Sequence, residues 1–269
     1  MKLGFTTLGC PEWTLEQVAA NAAACGFDGV ELRVADDGLH LRPDATGDEA
    51  RRVRELFDRA GVPVFALCAY ASFSSPDPAA LRGNCELTRR LIALAGTLGA
   101  GAIRCYGGKF ADEERHAVAA RAAAALKPLA AEAADRGVAI ALETHSYWAR
   151  GADMMEIVGA VDSPGLGVVF DVNNTFAGTG EWQETYRLIR PRIAYCHLKD
   201  DYRGADGRRH HVMLGAGDLP LADVLGRLKR DGFAGFLSFE WEKRWEPRLA
   251  PPEEVFPQYV HKVRSVWNG

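Results

Sequence analysis

Eight times along the chain a short apolar run gives way to a polar loop and then to an amphipathic stretch. No other feature limits the fold as tightly. The apolar runs are Leu3 to Leu8, Gly29 to Val34, Pro63 to Ala69, Ala102 to Gly107, Val138 to His145, Leu166 to Val172, Ile193 to Lys199 and Gly235 to Trp241. Helices are expected between them at about residues 14–25, 48–60, 78–98, 112–136, 151–161, 181–190, 219–231 and 252–267. Thr14 with Gln17 reads as a capping box, and Asp218 before Pro220 as another helix start. Gly26, Gly61, Gly99, Gly137 and Gly232 stand where helices should stop. Strand-then-helix repetition implies a parallel sheet. Eight units in 269 residues, about 34 each, with no Gly/Ser/Pro-rich linker, imply an α/β fold of the closed (β/α)8 TIM barrel type, one domain over residues 1–269. A doubly wound open sheet lacks support, because no G-x-G-x-x-G follows the first run and no P-loop occurs.

Composition narrows the function classes. Lys plus Arg number 32 and Asp plus Glu 36, for a net charge of −4. Such a chain has no global attraction for nucleic acid or anionic membrane, and no stretch approaches the ~20 apolar residues of a membrane span. Met1 to Phe5 run directly into the first strand pattern without an apolar leader core, so secretion by signal peptide is not expected. Cys10, Cys25, Cys68, Cys85, Cys105 and Cys196 form no C-x-x-C pair. They read as reduced thiols of a cytoplasmic protein.

In such a barrel, chemistry sits at the carboxyl ends of the strands. The last four runs end Leu142-Glu143-Thr144-His145, Phe170-Asp171-Val172-Asn173-Asn174, Cys196-His197-Leu198-Lys199-Asp200 and Phe239-Glu240-Trp241-Glu242. Side chains alternate faces along a strand. With the large hydrophobes turned to the helices, Glu143, Asp171, His197 and Glu240 point inward and converge at the mouth. Three carboxylates cannot all stay ionised at close range without a counter-charge, and one divalent cation supplies it. Oxygen-rich ligation with one imidazole suits Mn2+, Mg2+ or Co2+ better than a structural Zn2+ site, though Zn2+ is also compatible. Four protein ligands leave two octahedral positions for substrate oxygens. The competing reading is a private salt bridge for each acid.

These residues, with Thr7-Leu8-Gly9-Cys10-Pro11, Gly26-Phe27-Asp28-Gly29-Val30-Glu31-Leu32-Arg33 and Leu214-Gly215-Ala216-Gly217, give the chain its resemblance, over essentially its whole length, to the sugar phosphate isomerase/epimerase family of the xylose isomerase-like barrel superfamily. The resemblance implies that Glu143, Asp171, His197 and Glu240 bind one divalent metal, often manganese. It also implies that Glu143 and Glu240 act as paired acid and base on opposite faces of an enediolate, through proton abstraction next to the carbonyl of a small sugar or polyol. The family's ketose 3-epimerases usually carry a His three residues after the metal Asp, where Asn174 stands here, and a second Glu where Ala149 stands. An Arg six residues after the metal His is matched by Arg203. His145, inward-facing two residues past Glu143, is a candidate separate base. It keeps open a lyase or dehydratase acting on a keto-inositol or 3-keto-glycoside. A non-catalytic sugar-binding barrel is the third reading. The DNA-repair endonuclease branch is not expected: strands three and four end Cys68-Ala69-Tyr70 and Cys105-Tyr106-Gly107, without histidine.

Lys199 either holds a substrate oxygen or pairs with Asp200, Asp201 or Glu240. Arg203 and His211 lie on a long segment, Asp200 to Gly217, that reads as a lid or as a solvated loop. Asn174, Trp148 and Trp245 complete the substrate-binding candidates, whereas Trp241 points to the helices. Glu31 and Arg33 read as a buried ion pair, and Arg104 as a counter-charge inside the barrel. A homo-oligomer is compatible with the chain.

Overall fold

The computed structural model describes residues 1–110 and 113–269. Among the described residues the elements run β1 (Lys2–Thr6), α1 (Leu15–Cys25), β2 (Gly29–Arg33), α2 (Gly47–Arg59), β3 (Val64–Ser72), α3 (Pro78–Leu98), β4 (Ala102–Tyr106) and α4 (Arg115–Ala134). They continue with β5 (Ala139–Glu143), α5 (Gly151–Val161), β6 (Leu166–Asp171), α6 (Val172–Thr179), α7 (Trp182–Ile189) and β7 (Ile193–Leu198). The last are β8 (Asp200–Arg203), β9 (Arg209–Val212), α8 (Leu221–Arg230), β10 (Phe236–Phe239) and α9 (Pro252–Asn268). The expected start of the fourth helix at residue 112 lies outside the described residues. No helix among them is long and apolar enough to cross a membrane.

The strands close in the order β1-β10-β7-β6-β5-β4-β3-β2, and the barrel pairs are parallel, as in β1 with β10 and β6 with β7. The expected (β/α)8 barrel is therefore the observed fold. Leu3, Phe5, Val30, Leu32, Ile103, Leu142, Phe170, Leu198 and Phe239 are buried in the layer between strands and helices. Their neighbours, on the opposite phase of the pleat, fill the barrel. At the amino-terminal end Phe65 and Phe236 stack with ring centroids 3.8 Å apart, over Ala66, Ala102, Ala141, Val169 and Tyr195. Gly4 and Gly29 make room for these rings: a Cβ at Gly4 would lie 2.6 Å from Phe65, and one at Gly29 3.0 Å from Phe236.

Local signals act as the sequence suggests at several ends. Thr14 and Gln17 form the reciprocal cap of α1, and Gly26 ends it in the left-handed region at φ +81°. Two elements were not foreseen. α6 follows β6 without a loop, because Asp171 ends the strand and caps the helix, accepting from the Asn174 backbone N–H at 2.7 Å. The Asp200–Gly217 segment is neither free lid nor solvated loop but carries the antiparallel hairpin β8–β9. Its base is fixed by buried Asp200, whose carboxylate accepts from the N–H groups of Gly215, Gly217 and Leu219. Asp218 does not cap α8, which has Pro220 at that position. Its carboxylate accepts instead from the Arg203 N–H in the hairpin.

Candidate active site

Glu143 and Asp171 are the last residues of β5 and β6, His197 is the penultimate residue of β7, and Glu240 directly follows β10. One ligand atom from each of these four side chains lies within 4.8 Å of the others, and none of the four residues is more than 2% exposed. Two buried cations brace them. The Arg104 guanidinium bridges Glu143 and, at 3.4 Å, Glu240. Lys199 Nζ donates to Asp171 at 2.9 Å and to Glu240 at 2.5 Å, and lies 3.1 Å from Glu242.

Burial opposes ionisation of every acid here. For Glu143 the Arg104 charge overrides burial and holds the carboxyl down at about 2. Glu240 is likewise driven well below the usual range against burial, by Lys199 and then His197. Asp171 is the exception: burial outweighs Lys199 and pushes it up to about 7.

The donor set fits a divalent cation on two observations. Buried Glu31, Glu143, Asp171 and Glu240 face only Arg104 and Lys199 as buried permanent cations, so four carboxyl groups meet two fixed positive charges. In addition, His197 Nε2 is held by Glu31 at 2.9 Å, while its buried Nδ1 has no hydrogen-bond partner among the described residues. That nitrogen faces Glu240 at 3.4 Å and Glu143 at 3.8 Å. A buried, bare ring nitrogen among carboxylates is what a ligating imidazole looks like without its ion. Without the ion, burial would lower the His197 pKa, but Glu31 and then Glu240 raise it well above the ordinary value.

The remaining sequence candidates divide sharply. His145 sits where two clefts meet. One, of about 410 Å³, is lined by residues including Tyr70, Ser72, Tyr106 and Lys109. The other, of about 350 Å³, is lined by Asn174, Lys199, Arg203, His211 and Glu242 among others. Burial lowers the His145 pKa, which favours the neutral ring, and its Nδ1 lies 2.8 Å from Ser146 Oγ. Asn174 donates to Glu143 at 3.1 Å. Arg203 is exposed on the hairpin, and His211 lies 3.6 Å from Glu246. Trp245 is 51% exposed at the rim, its ring 5.6 Å from the Arg33 guanidinium.

Trp148 is not a substrate platform. It is buried in the strand–helix layer with its indole N–H donated to the Gly108 carbonyl at 2.8 Å, because the 3-10 turn after β5 folds it back under Gly107. Nor do Glu31 and Arg33 pair with each other. Arg33 turns outward to Asp37 at 2.8 Å and to the Tyr70 hydroxyl at 2.9 Å, while Glu31 stays inside. Lys199 pairs with Glu240, one of its expected partners, and with Asp171, which was not expected. Sequence reasoning missed Tyr70 and Tyr106 as mouth aromatics. Their inward phase on β3 and β4, two residues beyond Cys68 and Arg104, was the available signal.

A closed parallel barrel with a carboxylate–imidazole cluster at the carboxyl ends of its strands defines a TIM barrel with a metal-competent centre at its chemical face. A family model described as xylose isomerase-like TIM barrel matches residues 19–263, and the chain belongs to that family. It is similar to the L-ribulose 3-epimerase of Methylomonas sp. (strain DH-1), at 26% identity over 230 residues, 82% of this chain and 76% of that protein. Among solved structures, an L-ribulose 3-epimerase shares the fold with a TM-score of 0.83 at 20% identity, over 99% of this chain and 94% of that one. The probable 3-DHS dehydratase AsbF from Bacillus anthracis shares it with a TM-score of 0.74 at 18% identity, over 97% and 99%.

Proposed function

We propose that this protein is a divalent-metal-dependent sugar isomerase or epimerase that moves a proton on the carbon next to a carbonyl. The observation that carries the reading is the buried four-residue cluster with the bare His197 Nδ1 among its carboxylates. The similarity to an L-ribulose 3-epimerase supports a small sugar as substrate. Glu143, Asp171, His197 and Glu240 would hold the ion, Mn2+ first by donor chemistry, with Mg2+, Co2+ and Zn2+ as alternatives. When bound, it supplies positive charge for the oxyanion that develops as the carbon acid ionises.

The protein's own residues do the proton work. Arg104 and Lys199 favour the ionised forms of Glu143 and Glu240, so either can serve as the base. They stand on β5 and after β10, with β6 and β7 between them. The ionised member of the pair takes the substrate proton while the other, which must enter the step carrying a proton, delivers it from the far side, so the two end with their protonation states exchanged. Lys199 and Asn174 orient these two carboxylates. Free thiols at all six cysteines support a reducing, cytoplasmic setting.

A second reading is favoured by His145. A neutral imidazole at the junction of the two clefts is an extra base suited to an elimination, and the fold is shared with a probable dehydratase. Incubating a ketose panel that includes L-ribulose in deuterated water with Mn2+ tests both. Deuterium at the carbon beside the carbonyl, with an epimer or isomer as product, is the expected result. Exchange followed by loss of water selects the lyase. No exchange with any sugar, despite tight sugar binding, overturns both and leaves a binding protein.

A further inference from the structure

The structure assigns to Glu31 the role of the residue that presents His197 to the metal, a positioning role that rests on the metal reading above. Glu31 lies on β2, separated from β7 in the barrel by β1 and β10, and neither Glu31 nor His197 has any exposed surface. Its carboxylate accepts from the Tyr195 hydroxyl at 2.7 Å, the Ser238 hydroxyl at 2.7 Å and His197 Nε2 at 3.1 and 2.9 Å. A carboxylate at this position only accepts, so the hydrogen of the imidazole must sit on Nε2. The other nitrogen, Nδ1, is then the lone-pair donor. It is also the nitrogen that faces Glu143 and Glu240 and lacks a hydrogen-bond partner among the described residues.

The two hydroxyls make this orientation stiff. Tyr195 and His197 lie two residues apart on β7 and point the same way, and Ser238 is the register partner of His197 on β10. Glu31 thus ties the ring to its own strand and to the neighbouring one. A negative group hydrogen-bonded behind an imidazole also strengthens it as a ligand. No cation lies within salt-bridge distance of Glu31 apart from His197 among the described residues. Its charge is therefore directed to the ring rather than cancelled elsewhere. A merely structural buried carboxylate would gain more from a permanent cation.

Glu31→Gln separates tautomer control from packing. It keeps the shape, and its carbonyl oxygen can still accept from Tyr195 or Ser238. Its amide N–H turned to Nε2, however, favours the tautomer with the hydrogen on Nδ1, which blocks ligation. Mn2+ titration followed by the paramagnetic resonance of the free aquo ion should give saturable binding to wild type and about 10–100-fold weaker binding to Glu31→Gln. Ser238→Ala, which removes a Glu31 partner but not the His197 bond, should stay close to wild type. In Zn2+-loaded wild type, the 15N spectrum of His197 should show a protonated Nε2 and a metal-bound Nδ1. This readout needs no variant to fold.

No saturable Mn2+ binding by wild type overturns the metal reading, and the Glu31 role with it. Binding by wild type with equal affinity for Glu31→Gln, or a metal-bound Nε2 in wild type, overturns the Glu31 role alone.

Discussion

The two ends of the barrel interior are built by the same strands on the same inward phase, yet they differ completely in chemistry. At the amino-terminal end sit Ala102, Ala141, Val169 and Tyr195, capped by Phe65 and Phe236. Two residues further along the same four strands sit Arg104, Glu143, Asp171 and His197. One step of the pleat, about 7 Å along a strand, takes the interior from packed hydrocarbon to packed charge. The lower end lowers the free energy of the fold by removing apolar surface from water. The upper end does the reverse, since burying four carboxylates, a guanidinium and an ammonium costs desolvation that their pairing only partly returns. The lesson is that the barrel keeps its stability at one end and holds an unfavourable, prearranged charge set at the other, as functional sites often do. Changes at the two ends should therefore separate activity from stability.

The largest effect is expected at the upper end. Glu240→Gln keeps the shape but removes a carboxylate paired with Lys199 and Arg104. Turnover should fall by about 10³-fold, about 4 kcal/mol in barrier. Chemical denaturation should show little loss of stability, because Lys199 retains Asp171 and Glu242. Turnover within about tenfold of wild type, about 1.4 kcal/mol, would remove Glu240 from catalysis. The mirror experiment is Phe65→Ala at the lower end. Losing the ring stacked on Phe236 should cost about 3 kcal/mol in urea denaturation, the low end for an aromatic because the ring is only partly buried. Its kcat should stay that of wild type. A large fall in kcat would show that the two ends are mechanically coupled.

Metal addition sharpens the contrast further. Mn2+ at about a hundred times its dissociation constant should stabilise the chelator-treated protein by about 2.7 kcal/mol, seen as a raised melting temperature. The same gain should disappear in Asp171→Asn, which takes away a ligand, but persist in Phe65→Ala. Equal stabilisation of Asp171→Asn would place the ion outside the mouth cluster.

How much of this was legible in the sequence follows the same division. The barrel was legible because the alternation of runs and the glycines after helices are local signals repeated along the chain. The four ligand-type residues were legible because each lies among strong hydrophobes whose phase is unmistakable. Partnerships across the barrel were not legible. Glu31 lies two residues from Arg33 in sequence, and its engagement with His197 exists only once the sheet has closed. Trp148 looked free because nothing local shows that a 3-10 turn folds its indole toward the Gly108 carbonyl. No helix is expected between Val172 and residue 181, whereas α6 forms there because Asp171 supplies its cap.

The smallest effect we expect is at Asn174, the residue whose N–H that cap receives. Asn174 stands three residues after Asp171, where the ketose 3-epimerases that the chain resembles usually carry histidine. Its backbone N–H donates to Asp171 Oδ1 at 2.7 Å, while its side-chain amide donates to Glu143 Oε1 at 3.1 Å. Asn174→Ala leaves the first bond and removes the second. Glu143 then keeps the Arg104 guanidinium on its other oxygen, so it stays ionised but loses one of the contacts that fix its orientation. A carboxylate that must meet a C–H bond in line loses rate when its orientation loosens, without losing its charge. We expect kcat to fall about tenfold, about 1.4 kcal/mol, with the melting temperature and Mn2+ affinity nearly unchanged. Asn174→His, which restores a donor of similar reach, should recover part of the loss. An Asn174→Ala enzyme as fast as wild type would mean that Arg104 alone aims Glu143, and that the upper end of the barrel is organised from β4 rather than from the start of α6.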